Sequence, residues 1–162
     1  MNELEIIRHE RIPGLTAFFN TVDYRTPHFH PEWELMWLLD HPLTVSRGGG
    51  SFRAEKGSLL LFQPNEPHEL HMIDEKCTFL CLQVSPELLR LDSDLVVEDI
   101  LLNPYLGDGA ERVRRAMLEI ADAYLSQEPY SSLLCIGRTC LVFHEILCGI
   151  PVRAITREEL IS

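Results

Sequence analysis

The sequence has no basic stripe. Its 14 lysines and arginines are set against 25 aspartates and glutamates, for a formal charge of −11. The densest basic group, Arg112, Arg114 and Arg115, stands among acidic neighbours. Binding nucleic acid requires clustered cations to neutralise phosphates, so this chain by itself is not expected to bind DNA or RNA. Nor is there a CxxC pair. Cys77, Cys81, Cys135, Cys140 and Cys148 are odd in number, at spacings that fit neither a disulfide framework nor a zinc module. Four of them lie in apolar runs, and they are read as buried free thiols in a reducing compartment. No stretch reaches the roughly 18 uninterrupted apolar residues of a membrane span. The opening MNELEIIRHE is charged from the start, unlike a signal peptide. The expected location is the cytoplasm.

What is present fits a folded domain. Hydrophobic residues make up 46% and charged residues 24% of 162 positions, the balance of a soluble globular protein. A chain of this size buries about 70% of its unfolded surface, so it needs neither disulfides nor a metal to fold.

The first 84 residues read as strands and tight turns. Runs at 4–9 and 15–24 are separated by Pro13-Gly14, and 28–40 alternates apolar and polar residues. Residues 43–47 and 51–55 flank Gly48-Gly49-Gly50, a hairpin signal, and Lys56-Gly57 turns into the apolar strand 58–62. The segment 63–68 (QPNEPH) reads as a loop, and 77–84 as the last strong strand. After Val84 the pattern becomes helical. Ser85-Pro86-Glu87 is an N-cap, a first-turn proline and an acid, opening a short helix. Asp108 with Glu111 resembles a capping box, followed by Val113, Met117, Ile120 and Tyr124 on one helical face. A second helix, 131–148, is far more apolar, with Gly149 and Pro151 as its stop. It carries more apolar surface than one contact can bury. The expectation is a homodimer interface built on Leu133, Ile136, Cys140, Leu141, Phe143 and Leu147; the competing reading is a central core helix.

Chemistry concentrates in the strand at 28–40. His28, His30 and Glu34 are all even-numbered, so an extended strand presents them on one face, continued by Met36 and Leu38. Trp33, Leu35, Trp37 and Leu39 take the other face, and the tryptophans are read as core. Polar groups in an apolar interior need hydrogen bonds, a ligand or a metal. Two histidines and a carboxylate suit a divalent transition ion (zinc, nickel, iron or manganese), with His68 as a fourth ligand if the fold brings it alongside. A plain hydrogen-bonding role in a cavity remains open beside this. His71 is read as a solvated loop residue, and His9, His41 and His144 as having no partner at ligand spacing.

These residues resemble the cupin motifs: H-x-H-x3-E at His28, His30 and Glu34, then Gly57, LLLF, Pro64, Pro67 and His68. The first motif's glycine is replaced by His41-Pro42, and Glu66 stands at the second motif's turn glycine. The phrase KGSLLLFQPNEPH, a strand ending in SPELL and two following helices are similar to the N-terminal half of AraC-type transcription regulators. The resemblance covers about residues 22–149 and implies a mainly β, cupin-like (double-stranded β-helix) barrel followed by a C-terminal helical pair. It implies an effector-binding barrel at 1–84, a helical dimerisation segment at 85–150 packed on the barrel, and the start of a linker at 151–162. The DNA-binding half would follow Pro151 and is not in this sequence. The function implied is non-catalytic: a small effector in a pocket at His28, His30, Glu34, Met36 and His68, in a homodimer that meets DNA only through that further half. Residues 1–11 are read as an ordinary first strand, the alternative being an arm that closes over the effector. The competing functions are a mononuclear metal-dependent cupin enzyme (a dioxygenase or isomerase) and a standalone carbohydrate-binding cupin.

Overall fold

The computed structural model describes residues 3–5, 7, 11–91 and 94–161. Strands fill the first half: β1 (Glu3–Leu4), β2 (Leu15–Val22), β3 (Tyr24–Phe29), β4 (Trp33–Leu38), β5 (Leu43–Arg47), β6 (Gly50–Ala54), β7 (Leu59–Phe62), β8 (His68–Met72) and β9 (Cys77–Val84). A helical turn, α1 (Pro86–Leu89), leads to β10 (Leu95–Val97) and α2 (Asn103–Leu106). Two long helices, α3 (Gly109–Leu125) and α4 (Ser131–Gly149), precede β11 (Val152–Ala154) and α5 (Arg157–Ile161).

The strands build one sheet in the order β1-β3-β8-β5-β6 and another in the order β2-β9-β4-β7, with β10 and β11 paired separately. Between the two sheets lies an apolar filling, Val45 and Leu70 from the first against Met36, Leu60, Phe62 and Phe79 from the second. The other face of the second sheet is covered as well: Leu15, Leu35, Leu61 and Leu82 pack with Val113, Met117, Ile120 and Phe143 of α3 and α4. This double burial explains the uninterrupted LLLF of β7. Leu59 and Leu61 face the helices, Leu60 and Phe62 face the barrel interior, and all four are fully buried. Each such side chain contributes about 1.5–3 kcal/mol.

The 28–40 run is not one strand. Pro31 supplies no N–H to a ladder, and the chain bends at residues 30–32 between β3 and β4. Pro27 has the same effect earlier, where the β3–β8 register shifts between Arg25 and His28. The bend carries the chain from the five-stranded sheet to the four-stranded one. The run at 15–24 divides likewise into β2 and β3. The β5–β6 hairpin closes through Gly48 and Gly49, at φ 46° and 97°, a left-handed pair that glycine adopts freely.

The ends of the helices follow the sequence only in part. Ser85 does cap α1, its Oγ accepting from the Leu88 N–H at 3.3 Å. Asp108 does not cap α3: its own backbone is already helical (φ −63°, ψ −21°), and its carboxylate accepts no cap bond. Glu111 instead pairs with Arg114 at 3.3 Å. At the end of α4, Gly149 is still helical, and Ile150 is the extended residue that Pro151 forces out of the helical region. Residues 95–97 and 152–154, too short to show a period, pair as β10 and β11, so the segment from 151 folds back on the body.

Within α4, Phe143 is a correction. It is 2% exposed and meets Trp33 edge-on at 6.2 Å, so it belongs to the core, not to an outer interface. Ile136 and Leu147 are half-buried against the same core, while Leu133, Cys140 and Leu141 are exposed. All five cysteines are free, and Cys140 and Cys148 are exposed, unlike the buried thiols expected. By length and composition α4 is long and apolar enough to cross a membrane, but its Cys135, Thr139, Val142, Phe143 and Ile146 are buried within the fold.

Candidate functional site

His28 lies on β3, His30 in the bend, Glu34 on β4 and His68 at the start of β8. The two sheets therefore bring together residues that one flat strand could not. All four side chains are buried, and one potential ligand atom from each falls within 4.8 Å of all the others.

Their hydrogen bonds define how each imidazole is aimed. His28 Nδ1 donates to the Thr26 carbonyl at 2.8 Å, and His68 Nδ1 donates to the Glu66 carbonyl at 2.9 Å. Tying Nδ1 to a backbone carbonyl fixes the tautomer and turns Nε2 into the site, the outer arrangement typical of metal-binding histidines. His68 Nε2 meets Glu34 Oε2 at 2.8 Å, and its ring stacks on Phe62 at 3.9 Å. His30 Nε2 lies 3.7 Å from the same Glu34 oxygen, and His30 Nδ1 lies 3.5 Å from Glu32. Neither His30 nitrogen has a hydrogen bond, although both are buried. A buried polar group left so is costly. That orphaned imidazole, beside two others whose Nε2 atoms point inward and an ionised carboxylate, fits a donor set for a divalent transition ion.

Two further residues complete the site. Cys81 Sγ and Gln83 Nε2, from β9, each donate to Glu34 Oε1 at 3.2 Å. Sequence reasoning missed both as site residues. The available signal was parity: positions 77, 79, 81 and 83 share one face of β9, and β9 pairs with β4 through Met36↔Cys81 and Glu34↔Gln83. Met36 sits deeper, within the apolar filling.

The electrostatics centre on Glu34. Burial pushes its carboxyl up, but His30 and His68 outweigh this and hold it well below the usual carboxylate range. Burial, and then the neighbouring His68, push His28 down. Burial acts downward on His30 too, but the Glu34 carboxylate raises it overall. Burial and the Glu34 charge push the Cys81 thiol well up, so it remains a neutral donor.

The remaining candidates lie apart. His71 is exposed and packs edge-on against Tyr24, and His41 pairs with Asp40 and Glu75. His144, expected to have no partner at ligand spacing, is exposed on α4 with its Nε2 3.6 Å from Cys148 Sγ, because one helical turn stacks positions four apart. Trp33 is core and Trp37 is packed against it. His9 lies outside the described residues. Of residues 1–11, Glu3–Leu4 form β1, which runs parallel to β3, and Glu5 pairs with Arg25 at 3.0 Å and approaches His28 at 3.7 Å. An open cleft of about 600 Å³ adjoins the cluster, lined by Pro27, Arg47, Pro67, His68, Glu69 and the glycine hairpin.

Two facing sheets with a histidine–carboxylate cluster between them and a cleft beside it define a small-ligand-binding barrel of the cupin type. The chain belongs to the AraC-like ligand binding domain family, which it matches over residues 13–134. Among solved structures it is similar to the DMSP lyase DddQ from Ruegeria pomeroyi (21% identity, TM-score 0.42), over 44% of this chain and 39% of that one. It is also similar to a cupin protein from Bacteroides fragilis (20% identity, TM-score 0.42, 46% of this chain and 68% of that one). A third is an oxalate decarboxylase of B. subtilis (24% identity, TM-score 0.41, 44% of this chain and 21% of that one). The chain thus spans less than half the length of the lyase and the decarboxylase. A comparison with curated proteins gives no match.

Proposed function

We propose that this domain is the effector-binding and dimerisation half of an AraC-type transcription regulator, acting in the cytoplasm and without catalysis of its own. It would meet DNA only through a separate helix-turn-helix half. The observation that carries the reading is the cleft at His68: it opens onto solvent, and His68, the one cluster residue in its lining, belongs also to a buried cluster with unmet hydrogen-bonding capacity at His30. A small polar effector there would engage the Arg47 guanidinium and the hairpin backbone, and reach His68. Arg47 already bridges to Glu66 at 2.6 Å, and Glu66 holds His68 through its carbonyl. A ligand competing for Arg47 therefore acts on the segment that aims His68. It shifts the domain's conformation only by as much as it prefers one arrangement, about 1.4 kcal/mol for a tenfold difference.

The same cluster would hold one divalent ion through His28, His30, Glu34 and His68, whether to orient an effector or, in the competing reading, to serve a mononuclear cupin enzyme. Such an ion would supply Lewis-acid polarisation of a bound oxygen. This chain's residues supply the rest: the Thr26 and Glu66 carbonyls orient the imidazoles, Cys81 and Gln83 hold the free carboxylate oxygen, and Phe62 shields one face of His68.

The test is thermal unfolding of the purified chain against a panel of sugars, aromatic acids and small metabolites, with elemental analysis for zinc, nickel, iron and manganese. A binder present at 100 times its Kd adds about 2.7 kcal/mol. The reading expects such a stabiliser, with its effect lost in Arg47→Ala. Stoichiometric metal lost in His28→Ala together with turnover of a panel compound would instead establish the enzyme.

A further inference from the structure

α4 has an outer face that neither the barrel nor α3 covers. Its inward side is occupied by Cys135, Thr139, Val142, Phe143 and Ile146. Its charges turn toward α3, Arg138 to Glu119 and Glu145 to Arg112. The outer face carries Leu134, Gly137, Leu141, His144 and Cys148, all exposed. Their spacing alternates between three and four residues, the seam of a coiled coil. Leu141 is 70% exposed and Leu133, at the flank, 67%. The seam has no formally charged residue, and Gly137 lets another backbone come close.

On this seam His144 Nε2 stands 3.6 Å from Cys148 Sγ. Tetrahedral zinc binds sulfur at about 2.3 Å and nitrogen at about 2.0–2.1 Å, which places two such ligands about 3.6 Å apart. The helix pitch thus holds an i, i+4 pair at zinc spacing. Two ligands make only half a structural site, and among the described residues no third His, Cys, Asp or Glu of this chain converges on the pair. The missing half has to come from another molecule. A seam that meets its own copy about a two-fold axis is self-complementary, and an axis running along the seam sets each residue opposite its own copy, which brings both His144–Cys148 pairs together.

We propose that two copies of this chain pack along the α4 seam and complete a Cys2His2 zinc site, each giving His144 and Cys148. This rests on the dimerisation reading above and adds a metal dependence to it. Binding is not a redox step: the two Cys148 thiols lose their protons to solvent, two thiolates and two neutral imidazoles take the ion, and no electron moves.

The experiment is a cobalt(II) titration of the full chain under a non-thiol reductant, followed by the near-ultraviolet thiolate-to-cobalt band. Sedimentation with zinc(II) or with EDTA accompanies it. The expected result is a band that saturates at one cobalt per two chains and a monomer–dimer Kd at least tenfold lower with zinc(II). Cys148→Ser and His144→Ala lose both, whereas Cys140→Ser and the exposed-histidine variant His71→Ala keep both. Leu141→Asp, which leaves the four ligands intact but disrupts the seam, also loses both. A band that persists in Cys148→Ser, or that saturates at one cobalt per monomeric chain, overturns the proposal. So does metal-independent capture of the wild-type chain by phosphatidylglycerol vesicles, which assigns the face to lipid. A stable dimer with no band removes the zinc site and leaves the dimer. A chain that is monomeric in both conditions removes both, while effector binding in the barrel is read separately.

Discussion

Glu34 and His68 meet across the gap between the two sheets, Oε2 2.8 Å from Nε2, with both side chains less than a tenth exposed. Because His68 Nδ1 is committed to the Glu66 carbonyl, this contact is favourable only with a proton or a cation between the two atoms. Removing the carboxylate leaves His68, Cys81 and Gln83 without their shared partner. Glu34→Ala is expected to cost about 3–5 kcal/mol in urea unfolding, and Glu34→Gln, which keeps one acceptor oxygen, distinctly less. Equal midpoints for wild type and Glu34→Ala would show that the pair contributes nothing.

The same cluster sets an acid limit. Burial raises the Glu34 carboxyl, but His30 and His68 hold it below its ordinary 4.5. The unfolded chain therefore takes this proton first. The contribution is complete above about pH 4.5 and is lost as pH falls through the lower folded value. His28, depressed by burial and by His68 from 6.5, adds a loss of the same sign that begins below about pH 6.5. His30, raised by Glu34, acts oppositely: its contribution is present below about pH 6.5 and fades as pH rises through its folded value. Melting scans from pH 7 to 3.5 should show wild type losing stability on acidification more steeply than Glu34→Gln below pH 4.5. Parallel curves would disprove this.

The thiols should divide into two classes. Burial pushes Cys77 and Cys135 up to about 11, and burial with the Glu34 charge pushes Cys81 up as well. The thiolate is the nucleophile, so iodoacetamide at pH 8 should label Cys140 and Cys148 within minutes and the other three only after unfolding. Peptide mass spectrometry reads this directly, and early labelling of Cys81 would contradict the buried site.

Two aromatic and aliphatic positions on α4 should behave in opposite ways. Phe143→Ala empties a buried site against Trp33 and is expected to cost about 3–5 kcal/mol. Leu141→Ala, on the outer face, should change the stability of the isolated chain by no more than about 0.5 kcal/mol, while weakening self-association in sedimentation.

Much of the architecture was legible because local patterns and tertiary demands agreed. The Gly48-Gly49 turn, the doubly buried LLLF of β7, the Ser85 cap and the Val113–Tyr124 stripe of α3 each state their environment in a few residues. β8 was not legible. In HELHM only Leu70 is a large apolar residue pointing into the filling, and His68, its candidate site residue, reads as the end of a proline loop. β10 and β11 are each too short to carry a period, and their pairing joins residues nearly sixty positions apart.

By itself the chain determined the class of fold, the histidines and carboxylate worth watching, and an α4 with more apolar surface than one contact needs. Periodicity and turn chemistry are local properties that a sequence displays directly. Only the tertiary structure decided that Pro31 passes the chain between sheets, so that His28 and Glu34 face each other from different layers. It likewise brought Cys81 and Gln83 to Glu34, turned Phe143 inward and left Leu141 outside. Those outcomes depend on which distant segments share a cavity, and burial within a packed interior is settled by all the neighbours at once.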